Sequence, residues 1–264
     1  CRCLISVANR LGIKTVYMQH ASVSELFPAL TVDYAFLDGQ FSLDIYNLCK
    51  SNVAPTYKCN IVTRVFLSGQ KKYLCSRGAT NKKIGIAINN LDNIDKAINL
   101  IDCLVSDGFS ISLRWHPGQA EQDVSRLYTK FSNSAAIDLS DPKKQPISDY
   151  FSGIEILVCG NSSIHLEAAV SDIIAVYYEL EPPAIKDYYG YVKNKVSLYA
   201  GSYAKLTSIL NASPLPKPST KSIQYYSATY NTEWHGEEGL LVAKTLLCLQ
   251  NGQAWEELFG AKEL

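Results

Sequence analysis

The chain has 264 residues, of which 47% are hydrophobic and 19% charged. That balance supports packed cores and excludes a disordered chain, and the length suits one large or two modest domains. Lys and Arg number 25, as do Asp and Glu, so the formal net charge is zero and the basic balance of a nucleic-acid binder is absent.

Short apolar runs alternate with amphipathic stretches along the chain. Residues 1–11 read as a helix ending at Gly12. KTVYMQH (14–20) reads as a strand, YAFLDG (34–39) as a second, and FSLDIYNLCKS (41–51) as a helix. VTRVFLSG (62–69) is readable as strand or loop. A polar break, SRGATNKK (76–83), marks a domain boundary. IGIAI (84–88) is the next strand. The helix after it has Ile94, Ile98, Ile101 and Val105 at helical spacing, with Asp92 expected as N-cap and Gly108 as C-cap.

FSISLRW (109–115) alternates Phe109, Ile111, Leu113 and Trp115 with Ser110, Ser112 and Arg114, and is read as a parallel strand with one less apolar face. Residues 121–131 are a helix, 135–140 a strand and 147–153 a short helix. EILVC (155–159) is a strand, SSIHLEAAVS (162–171) a helix and IIAVYYEL (173–180) a strand. Residues 182–195 are rich in Pro and Tyr and read as irregular. KVSLYA (195–200) is an edge strand, 202–212 a helix, PLPKPST (214–220) a linker and 236–250 the last helix. Strands alternating with helices predict an α/β fold with a parallel, Rossmann-like sheet.

Eight cysteines are present and none forms a Cys-x-x-Cys pair. Cys103 and Cys159 lie in apolar runs and read as small buried hydrophobes. The chain is too core-rich to need a disulfide scaffold, so a reducing, cytoplasmic setting is expected. Cys1 and Cys3 give little metal signal, because no second pair accompanies them. No apolar stretch approaches the ~18 residues of a membrane span, and no signal peptide is visible. The only methionine is Met18, and the chain opens inside a helical pattern, which reads as the carboxyl part of a longer protein.

In a parallel α/β sheet, ligands sit beyond the carboxyl ends of the strands. His116, Pro117 and Gly118 follow one strand. An imidazole there can donate to a phosphate oxygen, while Pro117 fixes the backbone and Gly118 permits a sharp exit. Asn161, Ser162 and Ser163 follow another strand, where Asn161 or Ser162 can cap a helix whose first amides favour an anion. Glu167, one turn on, could accept from ribose hydroxyls or be a solvated charge. His165, in the same turn, is read as a packing or surface residue. His20 ends the strand 14–20 and is a candidate general base, or a structural His. Asp38 in Asp38-Gly39 is an acid/base candidate or a turn former. The acids of HGEE (235–238) suit a helix N-terminus. Phosphate loops, dinucleotide fingerprints and the H-E-x-x-H and G-x-S-x-G motifs are missing.

The runs VYMQHASVSELFPAL, DYAFLDGQFSLDIY, IGIAINN, LRWHPG and ILVCGNSSIHLEA together resemble bacterial glycosyltransferases of the GT-B fold. The closest likeness is to those of capsule and lipopolysaccharide synthesis, including sialyl- and polysialyltransferase-like enzymes and polyol-phosphate transferases. The resemblance implies that His116 and Pro117 of a His-Pro motif, and Ser162 and Ser163 of a Ser-Ser motif, hold the donor nucleotide and its phosphates. The sialyltransferase-like members carry an acidic-acidic-Gly motif; here Leu37-Asp38-Gly39 keeps only the second acid. The polyol-phosphate transferases place a His-Gly motif after a strand; here Ala21 follows His20.

By the same resemblance, residues 1–79 are the end of an acceptor-side Rossmann-like domain and 80–224 the nucleotide-sugar donor domain. Residues 225–264 are a helical segment crossing back towards the first. The implied activity is transfer of a sugar from a nucleotide-activated donor to a surface polysaccharide or lipopolysaccharide acceptor, with His20 as base and Asp38 in reserve. No Asp-x-Asp cluster is present, so no metal and no cofactor beyond the nucleotide-sugar substrate are expected. Expected partners are the donor and a glycan or glycolipid acceptor, with peripheral association with the inner membrane and no nucleic acid. The alternatives are a nucleotide-sugar epimerase of the same fold, or a truncated, non-catalytic nucleotide-binding module.

Overall fold

The computed structural model describes residues 2–52, 62–70, 83–180 and 186–259. The polar break at 76–82, residues 181–185 of the Pro- and Tyr-rich segment, and Cys1, Cys59 and Cys75 lie outside the described residues. Two compact units are present. One comprises residues 1–72 and 223–264, the other residues 73–222.

The second unit is built on six parallel strands in the order β6-β5-β4-β7-β8-β9. They are β4 (Lys83–Ile88), β5 (Ile111–Trp115), β6 (Ile137–Ser140), β7 (Ile154–Cys159), β8 (Ile174–Tyr178) and β9 (Leu198–Ala200). The chain runs outward from β4 through β5 to β6, returns to β7 on the other side of β4, and ends at the edge strand β9. That is the doubly wound order of a Rossmann-like sheet. The intervening helices are α3 (Ile94–Ser106), α4 (Glu121–Phe131), α5 (Ile147–Ser152), α6 (Ile164–Val170) and α7 (Tyr203–Leu210).

β4 is buried on both faces, as a central parallel strand requires. Ile84, Ile86 and Ile88 join a core with Ala97, Leu100, Ile101 and Leu104 of α3, and Leu113 and Leu127. Past Lys83 at its start, the opposite face of β4 carries Gly85 and Ala87. Tyr150 of α5 takes the space: a Cβ on Gly85 would lie 2.7 Å from its hydroxyl. The same hydroxyl donates to the Ser112 carbonyl at 3.4 Å. The serine face of β5 is thus covered by α5, which reconciles its polar alternation with a place between β4 and β6.

Local chemistry shifts several boundaries. Asn93, not Asp92, caps α3, its side chain accepting from the amides of Asp95 and Lys96. Asp92 instead accepts from the Asn89 amide at 2.8 Å. Asp107 is the C-cap, and Gly108 follows it with φ +86°, a conformation glycine adopts without strain. Cys103 is exposed, because the buried stripe of α3 runs through Leu100, Ile101 and Leu104; Cys159 is buried as expected. Cys3, Cys49, Cys103, Cys159 and Cys248 are free thiols.

The first unit has three parallel strands in the order β1-β2-β3: β1 (Val16–Met18), β2 (Tyr34–Leu37) and β3 (Arg64–Leu67). The segment readable as strand or loop therefore contains a strand. α1 (Arg2–Arg10) and α2 (Gln40–Leu48) also belong here. Ala35 and Leu37 face a core with Val23, Val32, Tyr46 and Cys49. Phe36 and Phe66 face the other way and pack with Val242 of α9 (Glu238–Asn251) and with Trp255 and Phe259. Their rings stack at 4.9 Å, and Trp255 meets Phe66 edge-on at 4.8 Å. Carboxyl-terminal residues thus complete a layer on this small sheet.

α8 (Thr220–Tyr226) begins at the end of the Pro-rich linker 214–220, in a stretch for which the sequence pattern predicts no separate helix. Its end comes onto the turn after β2. The Ala228 amide donates to the Asp38 carbonyl at 2.8 Å. A Cβ on Gly39 would lie 2.6 Å from the Tyr226 carbonyl carbon and 2.7 Å from the Tyr225 oxygen. Those are backbone atoms, which cannot yield cheaply. Gly39→Ala should therefore lower the stability of the first unit by about 1–3 kcal/mol. Urea unfolding followed through Trp234 and Trp255 fluorescence checks this; an unchanged midpoint would show that the contact is not as close as drawn.

Candidate functional site

In the doubly wound sheet the loop after β4 leads to α3 on one face and the loop after β7 to α6 on the other, so the crevice opens where these loops part, beside the loop after β5. Register places these loops at one level. Ile88 pairs with Trp115 and Ala87 with Cys159, so Asn89, His116 and Asn161 are the matching residues just beyond the strands. β5 and β7 are not adjacent; β4 lies between them. At two strand spacings, His116 and Asn161 are about 10 Å apart. Strand alternation puts Arg114, Ala87 and Cys159 on the α5 face, opposite Leu113, Ile86 and Val158.

Each loop is held by its own polar contacts. The His116 amide donates to the Ile88 carbonyl at 2.8 Å, extending the β4–β5 ladder. The Gly118 amide donates to His116 Nδ1 at 3.0 Å. Nδ1 must be unprotonated to accept, so the neutral ring carries its proton on Nε2. His116, Pro117 and Gly118 are all exposed. Gly118 does not turn the chain through a left-handed conformation. Its value is closeness: a Cβ there would come within 3.3 Å of His116 Nδ1.

Asn161 is 8% exposed and is tied on two sides. Asn89 Nδ2 donates to its carbonyl at 3.3 Å, and its Oδ1 accepts from the Tyr188 amide at 3.0 Å. Asn161 therefore does not cap α6. The N-cap is Ser163, without a side-chain cap bond, and Ser162 Oγ accepts only from the Ile164 amide at 3.4 Å. α6 has seven residues, so its dipole is short. Ser162, Ser163 and Glu167 are half-buried.

His165 is internal, 1% exposed. Its Nε2 lies 2.8 Å from the Gly160 carbonyl, which can only accept, so this nitrogen bears the proton. Ser197 Oγ then donates to Nδ1 at 2.9 Å. The ring thus ties the β7–α6 turn to the start of β9, in line with the packing role expected from sequence. Asp187, at φ +46°, folds the intervening loop by accepting from the amides of Val192 and Lys193, each at 3.0 Å.

Three features of this edge had no assigned role in the sequence. Asn89 was visible in IGIAINN, but only as a strand end. Arg114 stands inside LRWHPG, yet its burial is a tertiary fact. Tyr188 lies in a stretch read as irregular.

In the first unit, β1 and β2 end in Gln19-His20 and Asp38. Gln19, rather than His20, turns inward: its Oε1 accepts from the Asp38 amide at 3.0 Å, and its Nε2 donates to the Ala21 carbonyl at 3.0 Å. His20 is exposed and makes no hydrogen bond among the described residues. Asp38 is 5% exposed, and its charge helps raise the pKa values of Tyr17 and Tyr46 behind the larger effect of their burial. The same edge holds buried Gln70, Ser227, Thr229 and Glu238. Thr229 Oγ1 donates to Glu238 Oε1 at 2.7 Å, so Glu238 is an internal acceptor at the start of α9. Among the described residues, no group of His, Cys, Asp and Glu could hold a metal, and no helix is long and apolar enough to cross a membrane.

No protein-family model and no curated protein matches this sequence. Solved structures do match the fold. The chain is similar to S. aureus MnaA in complex with UDP, at 11% identity and TM-score 0.59, covering 95% of this chain and 74% of that one. It is similar to the wall teichoic acid polymerase TagF, at 12% identity and TM-score 0.55, with 90% and 69% covered. It is also similar to a Listeria monocytogenes protein assigned as a UDP-N-acetylglucosamine 2-epimerase, at 10% identity and TM-score 0.54, with 96% and 78% covered. At such identities the likeness establishes the fold alone, the parallel Rossmann-like architecture of GT-B structures.

The internal imidazole makes a pH prediction. Burial lowers the His165 pKa from 6.5 to about 4. Between these values the unfolded chain binds a proton that the folded chain does not, so stability is full above 6.5 and falls as the pH drops towards 4. The thermal midpoint should decline through that window, and His165→Asn should flatten the slope. Equal slopes in both proteins would contradict the internal, neutral ring.

Proposed function

We propose that this chain binds a nucleotide-activated sugar at the carboxyl edge of the six-stranded sheet and transfers the sugar to a glycan or glycolipid acceptor of a bacterial surface polymer. The observation that carries the reading is the placement of His116 and Asn161 at one level on either side of β4. Its exposed Nε2–H gives His116 a donor for a phosphate oxygen, about 10 Å from the Ser162 and Ser163 turn. A diphosphate with its ribose is of that size. The fold shared with the UDP complex of MnaA and with TagF supports the reading at the level of architecture.

Glycosyl transfer needs a base to take the acceptor hydroxyl proton and positive or hydrogen-bonding groups to meet the charge that develops on the departing phosphate. His116, Ser162 and Ser163 serve the phosphate in this reading, and Glu167 is placed to accept from ribose hydroxyls. His20, exposed at the end of β1, is the proposed base, and Asp38 the reserve. The sequence has no Asp-x-Asp pattern, so transfer is proposed to proceed on protein donors without a divalent metal.

The match to the Listeria monocytogenes protein favours a second reading, a nucleotide-sugar epimerase. Incubation with donor alone separates the two, because only an epimerase converts it without an acceptor.

At least one of CMP, CDP, UDP and GDP should raise the thermal midpoint of the protein, and His116→Ala should weaken that nucleotide roughly 10-fold or more, the worth of one good hydrogen bond to a charged group. No shift with any of the four, or equal binding by the variant, would remove the donor-site assignment. Catalysis, once detected with a matched donor and acceptor, should persist in EDTA.

A further inference from the structure

One cation in the second unit has no counter-ion that accounts for it. Arg114 is 8% exposed, at the penultimate position of β5. Its Nη1 donates to Ser140 Oγ at 2.8 Å, and its guanidinium carbon lies 5.5 Å from the centre of the Tyr150 ring. Among the described residues the other N–H groups of the guanidinium have no protein partner and Arg114 forms no ion pair, and none of these nitrogens is among the sealed, unsatisfied atoms of the unit. The carboxylates of Asp141 and Glu167 act on it only through their fields. Burial strips a guanidinium of hydration, a loss that an anionic partner offsets. Ser140 and the Tyr150 face fix its orientation without neutralising it.

Its position is the second half of the argument. Arg114 lies on the α5 face of β5, and His116 follows two residues later, just beyond the strand. On that face Ala87 of β4 and Cys159 of β7 pack with Tyr150, and β7 leads into the Asn161–Ser163 turn. A planar, always charged fork is the side chain best suited to two phosphate oxygens at once.

We propose that Arg114 is the phosphate-binding cation of this edge, with its remaining donors directed to a phosphoryl or diphosphate oxygen of the bound nucleotide. The proposal rests on the donor-site reading above and adds the residue that recognises the charge of the leaving group. Ser140 and Tyr150 hold the fork in place before the ligand arrives, so little side-chain freedom is lost on binding.

Calorimetric titration tests it, with the nucleotide giving the largest thermal shift, its parent nucleoside, and inorganic pyrophosphate as probes. Arg114→Gln should weaken the nucleotide and pyrophosphate roughly 10- to 100-fold, as expected for a charge-assisted hydrogen bond. Nucleoside affinity should be unchanged. Arg114→Lys, which keeps the charge but loses the fork, should fall between and guards against a Gln variant that folds poorly. Unchanged nucleotide affinity in a folded variant would overturn the proposal, as would equal loss for nucleotide and nucleoside, which marks a purely structural residue. If the wild type binds pyrophosphate through Arg114 but no nucleotide, the donor-site reading fails and the role of Arg114 stands. If neither probe binds, both fail.

Discussion

β4 is hydrogen-bonded to β5 on one side and to β7 on the other, and the chain leaves β4 and β7 towards opposite faces. Everything distinctive about the second unit depends on that pairing. It puts three loop starts at one level and keeps the space between them clear of a crossing helix. The small side of β4 matters as much as its pairing. Gly85 and Ala87 let Tyr150 lie close, and Tyr150 in turn gives Arg114 an aromatic face. A larger residue at either position would close the crevice from below.

The loops are stiffened from behind rather than by their own regular structure. Asn161 joins the end of β4 to the segment after β8 through its carbonyl and side chain. His165 fastens the same turn to the start of β9 through Gly160 and Ser197. Both ring nitrogens of His165 and both oxygens of Asn161 are engaged by the protein, so these residues support their neighbours. His116, Ser162, Ser163 and Glu167 are accessible polar groups at the edge, with Arg114 buried on β5. A ligand held there would meet donors that are already oriented, which is the condition under which electrostatic stabilisation of a leaving group is most effective.

Much of this fold was legible because periodicity is a local signal. The isoleucines of IGIAI, the stripe of α3 and the alternation of β5 each declare their element within a few residues. The failures were nonlocal or finely balanced. Asp92 and Asn93 are both good caps, and only the backbone geometry decides between them. Cys103 looks buried in INLIDCLV until the helix phase turns it outward. α8 begins immediately after a Pro-rich run that masks its start. In the site, the two motif loops were legible, but the strand between them was not, since strand order is set by packing and not by pattern. Arg114 and Asn161 show the same limit. Their types suggest solvent or a cap, and burial makes one an unneutralised cation and the other a brace. In the first unit, Gln70 meets Ser227 across 157 positions of sequence, a contact no motif announces.

The most direct test of the account is hydrogen–deuterium exchange of the protein with and without a saturating nucleotide. The account predicts slower exchange of the amides at 89–92, 118–119 and 161–164 together, because one ligand spans the loops on both sides of β4. Protection confined to other segments, with these three loops exchanging as before, would contradict it.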